Sequence, residues 1–189
     1  MKSSGTWNDT NHAAWKAFDQ EIGKEDTCYH TARDAYKEGK HVLETNLDGK
    51  HKGEWLSLQL PSPFVLAGIK IYDRNGDMDR RQAWNKCWVL ASSDGENWTE
   101  LCQTDYNQFM TDGGQQVNKN ALTGTDLKCG SSIITVDATA AYTHFAVVFE
   151  EAFRHFKHHD GGMIAFQQMY LYGVPAEAKN DQVAPASVE

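Results

Sequence analysis

One stretch in the middle of the chain decides the fold, and it reads Cys87-Trp88-Val89-Leu90-Ala91-Ser92-Ser93-Asp94-Gly95-Glu96-Asn97-Trp98-Thr99-Glu100-Leu101-Cys102. Two apolar arms flank an Asp-Gly pair, a strong hairpin signal because glycine accepts the positive φ of a tight turn. The stretch therefore predicts antiparallel strands at 87–91 and 98–103. A two-residue turn would place Cys87 opposite Cys102, whereas a longer, bulged loop would shift the register. We predict reduced thiols, because directly opposed strand cysteines form a strained disulfide and no signal segment indicates an oxidising compartment.

Strand-like patterns continue on both sides of this hairpin. Residues 55–60 alternate, with Leu56, Leu58 and Leu60 on one face, and we expect Pro61-Ser62-Pro63 to end the strand. Further strands are predicted at 64–72, 133–136, 144–150 and 163–172. Helical periodicity is nearly absent, so the sequence predicts an all-β protein, an antiparallel β-sandwich or jelly roll. Long polar loops at 73–85, 104–130 and 151–162 separate the strands, and we expect the sheets to hold them at one end.

The composition argues against several classes of function. The 189 residues include 26 acidic and 18 basic ones, for a formal net charge of -8. Binding of nucleic acid depends on clustered Lys and Arg, and the nearest approach, Arg80-Arg81, is flanked by Asp77 and Asp79. No window reaches the roughly 18 consecutive apolar residues of a membrane span, so we expect no membrane insertion. The sequence also predicts no enzyme, because it has no Gly-x-Ser-x-Gly, P-loop, Rossmann glycine or HExxH motif.

Four segments share their order with one known family. They are Ala17-Phe18-Asp19 with Asp26-Thr27-Cys28-Tyr29-His30, the run 53–60, the hairpin 88–101, and Met169-Tyr170-Leu171-Tyr172-Gly173. Together they resemble the discoidin-like family, also called the coagulation factor 5/8 C-terminal type, of the galactose-binding-like superfamily. The resemblance implies a non-catalytic binding module with an eight-stranded jelly-roll sandwich. It spans residues 13–174, which leaves residues 1–12 as an N-terminal arm and 175–189 as a polar C-terminal tail.

The resemblance also implies a calcium site that would fasten the N-terminal loop to the last strand. Asp26 and Thr27 match the family's Asp-Thr positions, but Gln168 stands where a Glu is expected. Calcium prefers six to eight oxygens with carboxylate charge, so the neutral Gln168 should weaken the site. In the alternative, Asp26 and Thr27 form a side-chain-stabilised turn, and Gln168 hydrogen-bonds the same loop without a metal.

For sugar-binding relatives, the resemblance implies a pocket at the loop end of the sandwich. Arg74 and Asn75 follow the second core strand, where the family carries an Arg that hydrogen-bonds sugar hydroxyls. An aromatic ring would pack on the apolar face of the sugar, and His30 or His155 would add a donor. The candidates for this ring are Trp84, Tyr106 and Phe109. Alternatively, Arg74 pairs with Asp73, Asp77 or Asp79, and Trp84 belongs to the core.

Other groups that could hold a metal give weaker signals. The run His155-Phe156-Lys157-His158-His159-Asp160 matches no established metal motif, and a solvated or partner-docked loop is the better interpretation. None of the four cysteines forms a CxxC pair, so a structural zinc site is not predicted.

Two functional hypotheses follow. The first is a carbohydrate-binding module that recognises a galactose-like sugar or glycoprotein, which would operate outside the cell, on a cell surface or on a virion. The second is a protein-docking subunit of a larger assembly, intracellular and without a small ligand. A phospholipid-binding version comes third, because the domain is acidic and its loops carry few apolar residues.

Overall fold

The structure, a computed structural model, describes residues 1–6, 10–21, 28–74, 82, 84–105, 131–152 and 162–176. Within them lie a short 3-10 helix at Ala14–Phe18 and ten strands. The strands are β1 Lys2–Ser3, β2 Tyr29–His30, β3 Tyr36–Lys37, β4 Lys40–His41, β5 Glu54–Asp73, β6 Trp84–Ser92, β7 Thr99–Asp105, β8 Ser131–Thr135, β9 Tyr142–Ala152 and β10 Ala165–Pro175. Every described pairing is antiparallel. The predicted all-β sandwich is confirmed.

The strands form one curled sheet that folds over its own core. The hydrogen-bonded order is β2-β10-β5-β9-β4-β3; β1 and β8 also pair with β5, and β6 lies between β9 and β7. On the half built from β5 and β10, Ile69, Ile71 and Met169 face the core. Leu56 and Val147 meet them from the other half. Alternation along each strand therefore divides the core from the outer surface, as period-2 patterning requires.

β5 is one strand of 20 residues and not the two strands that the sequence predicted. Its first half, from Glu54 to Gln59, pairs with β9, and its second half pairs with β10 and β8. The change of partner falls between Gln59 and Phe64, at an irregularity in the register. Pro61 and Pro63 lie exposed there. Proline has no N–H to donate, but a strand tolerates it where the hydrogen-bond ladder is interrupted, so the two prolines bend β5 without ending it.

The hairpin of β6 and β7 forms as predicted, but its turn is longer. Ala91 and Thr99 are the last pair, and a register shift follows Val89, which lies opposite Cys102. Cys87 therefore lies opposite Thr104, so the two-residue turn was wrong and the bulged alternative holds. The Asp94 carboxylate accepts 2.8 Å hydrogen bonds from the backbone N–H of Glu96 and of Asn97 and so closes the turn. Cys28, Cys87 and Cys102 are free thiols in the structure, and Cys129 lies outside the described residues.

The strand ends that flank the three long loops meet at one end of the sandwich, which we call the loop end. Tyr72 pairs with Ser131, Trp84 with Ala152, and Lys86 with Asp105. The Gln82 carbonyl joins the two halves there by accepting a 2.9 Å hydrogen bond from the backbone N–H of Ala165. Most of the loop residues themselves lie outside the described residues.

Two further features concern the chain as a whole. Residues 1–12 were predicted to be an N-terminal arm, and within them β1 pairs with β5 through Lys2 opposite Ser57. In the part of the chain that the structure describes, no helix has the length and apolar character needed to cross a membrane.

Candidate binding site at the loop end

Arg74 is the best-positioned of the predicted sugar-binding residues. It follows the last residue of β5, and its Nη1 donates a 2.7 Å hydrogen bond to Gln82 Oε1. Gln82 is itself held by the hydrogen bond from Ala165 at the start of β10. Both side chains are half-buried, which strengthens a charge-assisted hydrogen bond. The sequence had suggested Asp73, Asp77 or Asp79 as partners of Arg74, but their carboxylates lie outside what the structure describes.

His30 lies beneath the surface and does not reach it. The side chain, at the end of β2, is 1% exposed. Its Nε2 lies 3.1 Å from Cys28 Sγ and its Nδ1 3.1 Å from Met163 Sδ. Burial lowers the pKa of His30 to about 3, and the charges of His12 and Arg74 add to the shift. His30 is therefore neutral at physiological pH. Its buried side chain packs beneath the loop end and does not contact a ligand on the surface.

Trp84 belongs to the core. It is 1% exposed, and it packs in the main hydrophobic cluster where β6 begins. The alternative raised for it from the sequence is the correct one, because a ring with no exposed face cannot stack on a ligand. In the sequence, the position of Trp84 directly after a polar loop did not indicate that its side chain is buried. Its partner in the register, Ala152 of β9, belongs to the same core cluster, so the pair shares the inward face.

An exposed aromatic ring that sequence reasoning missed is Trp15, in the short 3-10 helix. It is 47% exposed, and it borders an open groove lined also by Met1, Lys2 and Ser3. The Lys16 Nζ lies 4.1 Å from its ring centroid, a cation–π contact that orients the indole. Trp15 lies in the short run Ala13-Ala14-Trp15-Lys16-Ala17-Phe18, which is too short for a pattern that decides which side chains are exposed.

Several predicted site residues lie outside the described residues. They are Asn75, Tyr106, Phe109 and His155 of the sugar site, and Asp26 and Thr27 of the calcium site. Their roles stay predictions.

Gln168 fastens β10 to the N-terminal loop directly. Its Oε1 accepts a 3.1 Å hydrogen bond from the backbone N–H of Gln20. Its Nε2 therefore faces two acceptors, the Lys16 carbonyl at 3.1 Å and the Asp19 carboxylate. The Lys16 Nζ lies 3.4 Å from the second oxygen of Asp19. A neutral amide and an ammonium group thus connect β10, the 3-10 helix and the loop.

The described part of the predicted calcium site departs from the oxygen ligand set that calcium prefers. Calcium takes oxygen ligands only, whereas the two cationic or N–H groups beside Asp19 compete for its oxygens. A Glu at position 168 would direct an oxygen at the Lys16 carbonyl and at Asp19, and this cluster of oxygens would need a cation between them. Gln168 removes that need. This is the metal-free contact named above as the alternative, and calcium at Asp26 and Thr27 stays an untested prediction.

Glu54 is the most buried carboxylate described at this end of the sandwich. Its side chain is inaccessible, and it accepts hydrogen bonds from Thr45 at 2.7 Å, Ser4 at 3.1 Å and the backbone N–H of Ala32 at 3.2 Å. Burial would raise its pKa, but these hydrogen bonds and one with His41 outweigh burial and lower the pKa below its usual value. Glu54 is therefore charged, and it ties β1, the segment after β2 and the start of β5 together.

Comparison with known proteins identifies the fold. No protein-family model matches the chain, and no curated protein matches its sequence. Among solved structures, CpGH89CBM32-5 from Clostridium perfringens, in complex with GalNAc-beta-1,3-galactose, is 16% identical with a TM-score of 0.58, covering 91% of this chain and 93% of that one. CBM32-3 from a family 31 glycoside hydrolase of the same organism is 15% identical with a TM-score of 0.61, covering 92% and 88%.

A third solved structure extends the likeness to the F5/8 type C domains. The F5/8 type C domain of a Bacteroides fragilis protein is 13% identical with a TM-score of 0.56, covering 92% of this chain and 90% of that one. At such identities the likeness concerns the fold, which extends over nearly the whole chain in each case. The resemblance predicted from four short segments is confirmed at the level of the fold: the chain has a discoidin-like fold.

Proposed function

We propose that this protein is a non-catalytic binding module that recognises a neutral, galactose-like carbohydrate at the loop end, with Arg74 as the principal hydrogen-bond donor. The observation that carries the proposal is the Arg74–Gln82 contact. Guanidinium has five N–H donors, and one of them, on Nη1, is held by Gln82. The remaining donors are pre-positioned for adjacent sugar hydroxyls.

Pre-positioning matters because binding a sugar from water gains little net energy per hydrogen bond. Each hydroxyl already bonds water, so affinity depends on donors that do not lose conformational freedom on binding. Arg74 meets this condition, since β5 fixes its backbone and Gln82 fixes its side chain. The net charge of -8 favours neutral sugars over sialylated or sulfated ones.

The comparisons support the same class of ligand. One solved structure with this fold was obtained in complex with GalNAc-beta-1,3-galactose, and another is a carbohydrate-binding module of a glycoside hydrolase. A role outside the cell, on a cell surface or on a virion belongs to this proposal.

A glycan array tests the proposal with three proteins: the wild type, Arg74→Ala and Lys50→Ala. Lys50 is the charge-matched control, because it is exposed and pairs with Glu100 beside the β6–β7 turn, away from the loop end. We expect the wild type and Lys50→Ala to bind the same terminal galactose-type glycans and Arg74→Ala to lose at least about tenfold in affinity. Undiminished binding by a folded Arg74→Ala protein would remove Arg74 from the site. Absence of binding to every glycan would contradict the function itself.

A second candidate, the protein-docking role, is favoured by one surface. On the outer face of β10 and β8, Tyr172 is 50% exposed, Val174 43% and Ile133 37%. Gly68 of β5 lies between β10 and β8, opposite both Tyr172 and Thr135, and leaves the face flat. Light scattering over a concentration series tests the simplest partner, a second copy: self-association that Tyr172→Ser abolishes would favour docking, and a monomer at every concentration would count against it.

A further inference from the structure

Three buried side chains from two parts of the chain meet beneath the loop end. His12, Cys28 and His30 each offer one metal-ligating atom, and these atoms lie within 4.8 Å of one another. Cys28 Sγ is 3.1 Å from His30 Nε2 and 4.0 Å from His12 Nδ1. Two ligands that are each about 2.0–2.3 Å from one ion lie roughly 3–4 Å apart, so only small side-chain movements separate this cluster from a coordination site.

The local structure explains why the three residues converge. Cys28 and His30 are two residues apart on an extended segment, so they project to the same face. The backbone N–H of His30 donates a 3.3 Å hydrogen bond to the His12 carbonyl, and His12 Nδ1 donates a 3.0 Å hydrogen bond to the Cys28 carbonyl. These contacts hold the imidazole of His12 beside that of His30, with ring centroids 3.9 Å apart.

Met163 fixes the tautomer of His30. A thioether sulfur only accepts hydrogen bonds, so the contact of 3.1 Å requires that His30 Nδ1 carries the proton and donates it to Met163 Sδ. His30 Nε2 is then the lone-pair nitrogen, and it accepts from the Cys28 thiol. An outer partner that holds Nδ1–H and turns the other nitrogen inward is the usual support of a metal-binding histidine.

We propose that His12, Cys28 and His30 form a binding site for a thiophilic metal ion, and that the site favours Cu⁺ over Zn²⁺. The inference does not depend on the proposed sugar site. On binding, the Cys28 thiol loses its proton to solvent and the thiolate ligates the ion; His12 moves its proton from Nδ1 to Nε2 and exchanges its hydrogen bond to the Cys28 carbonyl for the ion. No electron is transferred.

Charge distinguishes the two ions. One thiolate and two neutral imidazoles carry a single negative charge, so Cu⁺ gives a neutral centre and Zn²⁺ leaves one positive charge. All three side chains are almost fully buried, at 6%, 0% and 1% exposure. A residual positive charge is costly in such surroundings. Soft thiolate ligands also suit Cu⁺, whereas Zn²⁺ usually takes a fourth ligand.

The experiment titrates the full chain with Cu⁺, under reducing and anaerobic conditions against a chromogenic chelator, and separately with Zn²⁺. We expect about one Cu⁺ per chain, held at least tenfold more tightly than Zn²⁺. X-ray absorption on the copper-loaded protein should show one sulfur and two nitrogen neighbours, a readout that needs no variant. Failure to compete with the chelator, or a sulfur-free copper environment, would overturn the site; tighter binding of Zn²⁺ would overturn the choice of ion.

Variants locate the ion within the chain. Cys28→Ala should weaken Cu⁺ binding at least about 100-fold, whereas Cys102→Ser, a half-buried thiol outside the cluster, should bind as the wild type does. A variant with His155, His158 and His159 replaced by Ala removes the other histidine group and should also bind normally. Met163→Leu keeps the volume but not the acceptor for His30, and it should weaken binding about tenfold. Loss of copper in the His155 group variant, or full binding by Cys28→Ala, would refute the assignment.

Discussion

At the start of β5 the charged Glu54 makes folding stability depend on pH. Because its pKa in the folded protein is lowered from the usual 4.5, Glu54 stabilises the fold above pH 4.5, and this contribution is lost as pH falls through the folded value. We therefore expect Glu54→Gln to be less stable than the wild type at neutral pH but to lose less on acidification. Urea melts from about pH 7 down to about pH 3 provide the measurement. Parallel curves for the two proteins would contradict the role given to Glu54.

Gln168 leads to a prediction about calcium. The wild type should show no rise in melting temperature with millimolar calcium, because the Gln168 amide N–H donates to one oxygen of Asp19 and the Lys16 ammonium group lies 3.4 Å from the other. Gln168→Glu should be less stable without calcium, by about 1–3 kcal/mol, since it places a carboxylate against two acceptors. Calcium should restore part of that loss. A calcium-dependent rise in the wild type that Asp26→Ala abolishes would contradict this prediction and support the ion at Asp26 and Thr27.

At the scale of elements, the segment that leads into β10 approaches β3 too closely for a side chain at Gly162. A Cβ there would lie 1.7 Å from the Tyr36 carbonyl oxygen, which is backbone and cannot turn away. Gly162→Ala should therefore cost at least about 2 kcal/mol of folding free energy, measured by urea unfolding. Gly49→Ala is the control: Gly49 has φ +77° but open space around it, so only backbone strain of about 1 kcal/mol is expected. Equal costs for the two variants would show that the contact is not tight.

Elements were easier to predict from the sequence than contacts between them. The Asp-Gly turn signal between apolar arms located β6 and β7, and period-2 alternation located the first half of β5, because these signals are carried by neighbouring residues. The continuity of β5 through Pro61 was missed, since whether a proline ends a strand depends on where its partners change. In the candidate binding site, too, local positions were predictable and contacts between distant residues were not. The position of Arg74 directly after a strand could be read from the sequence. The contact of Gln82 with Arg74, the ion pair of Lys16 and the approach of His12 to Cys28 could not, because no local pattern encodes them.

For the whole molecule, the first residues of the chain belong to the fold. β1 pairs with β5, and Ser4 donates a hydrogen bond to the charged Glu54. Removing residues 1–5 should therefore lower the free energy of unfolding by about 2–3 kcal/mol, since a buried carboxylate loses a donor. Chemical denaturation provides the measurement, and Lys2→Ala, an exposed change that leaves the backbone pairing intact, should have little effect. A truncated protein as stable as the wild type would show that these residues are an arm that does not contribute to folding stability.

The continuous course of β5 limits how the molecule can move. The strand leaves the loop end in one half of the sandwich, turns at the far end and returns in the other half. The two halves are therefore joined covalently through a single hydrogen-bonded strand, and they cannot hinge apart without breaking its pairing with β9 or with β10. A ligand bound at the loop end would therefore meet a sheet that does not rearrange on binding. In a protein built this way, the loop sequences can diverge while the sandwich that carries them stays the same.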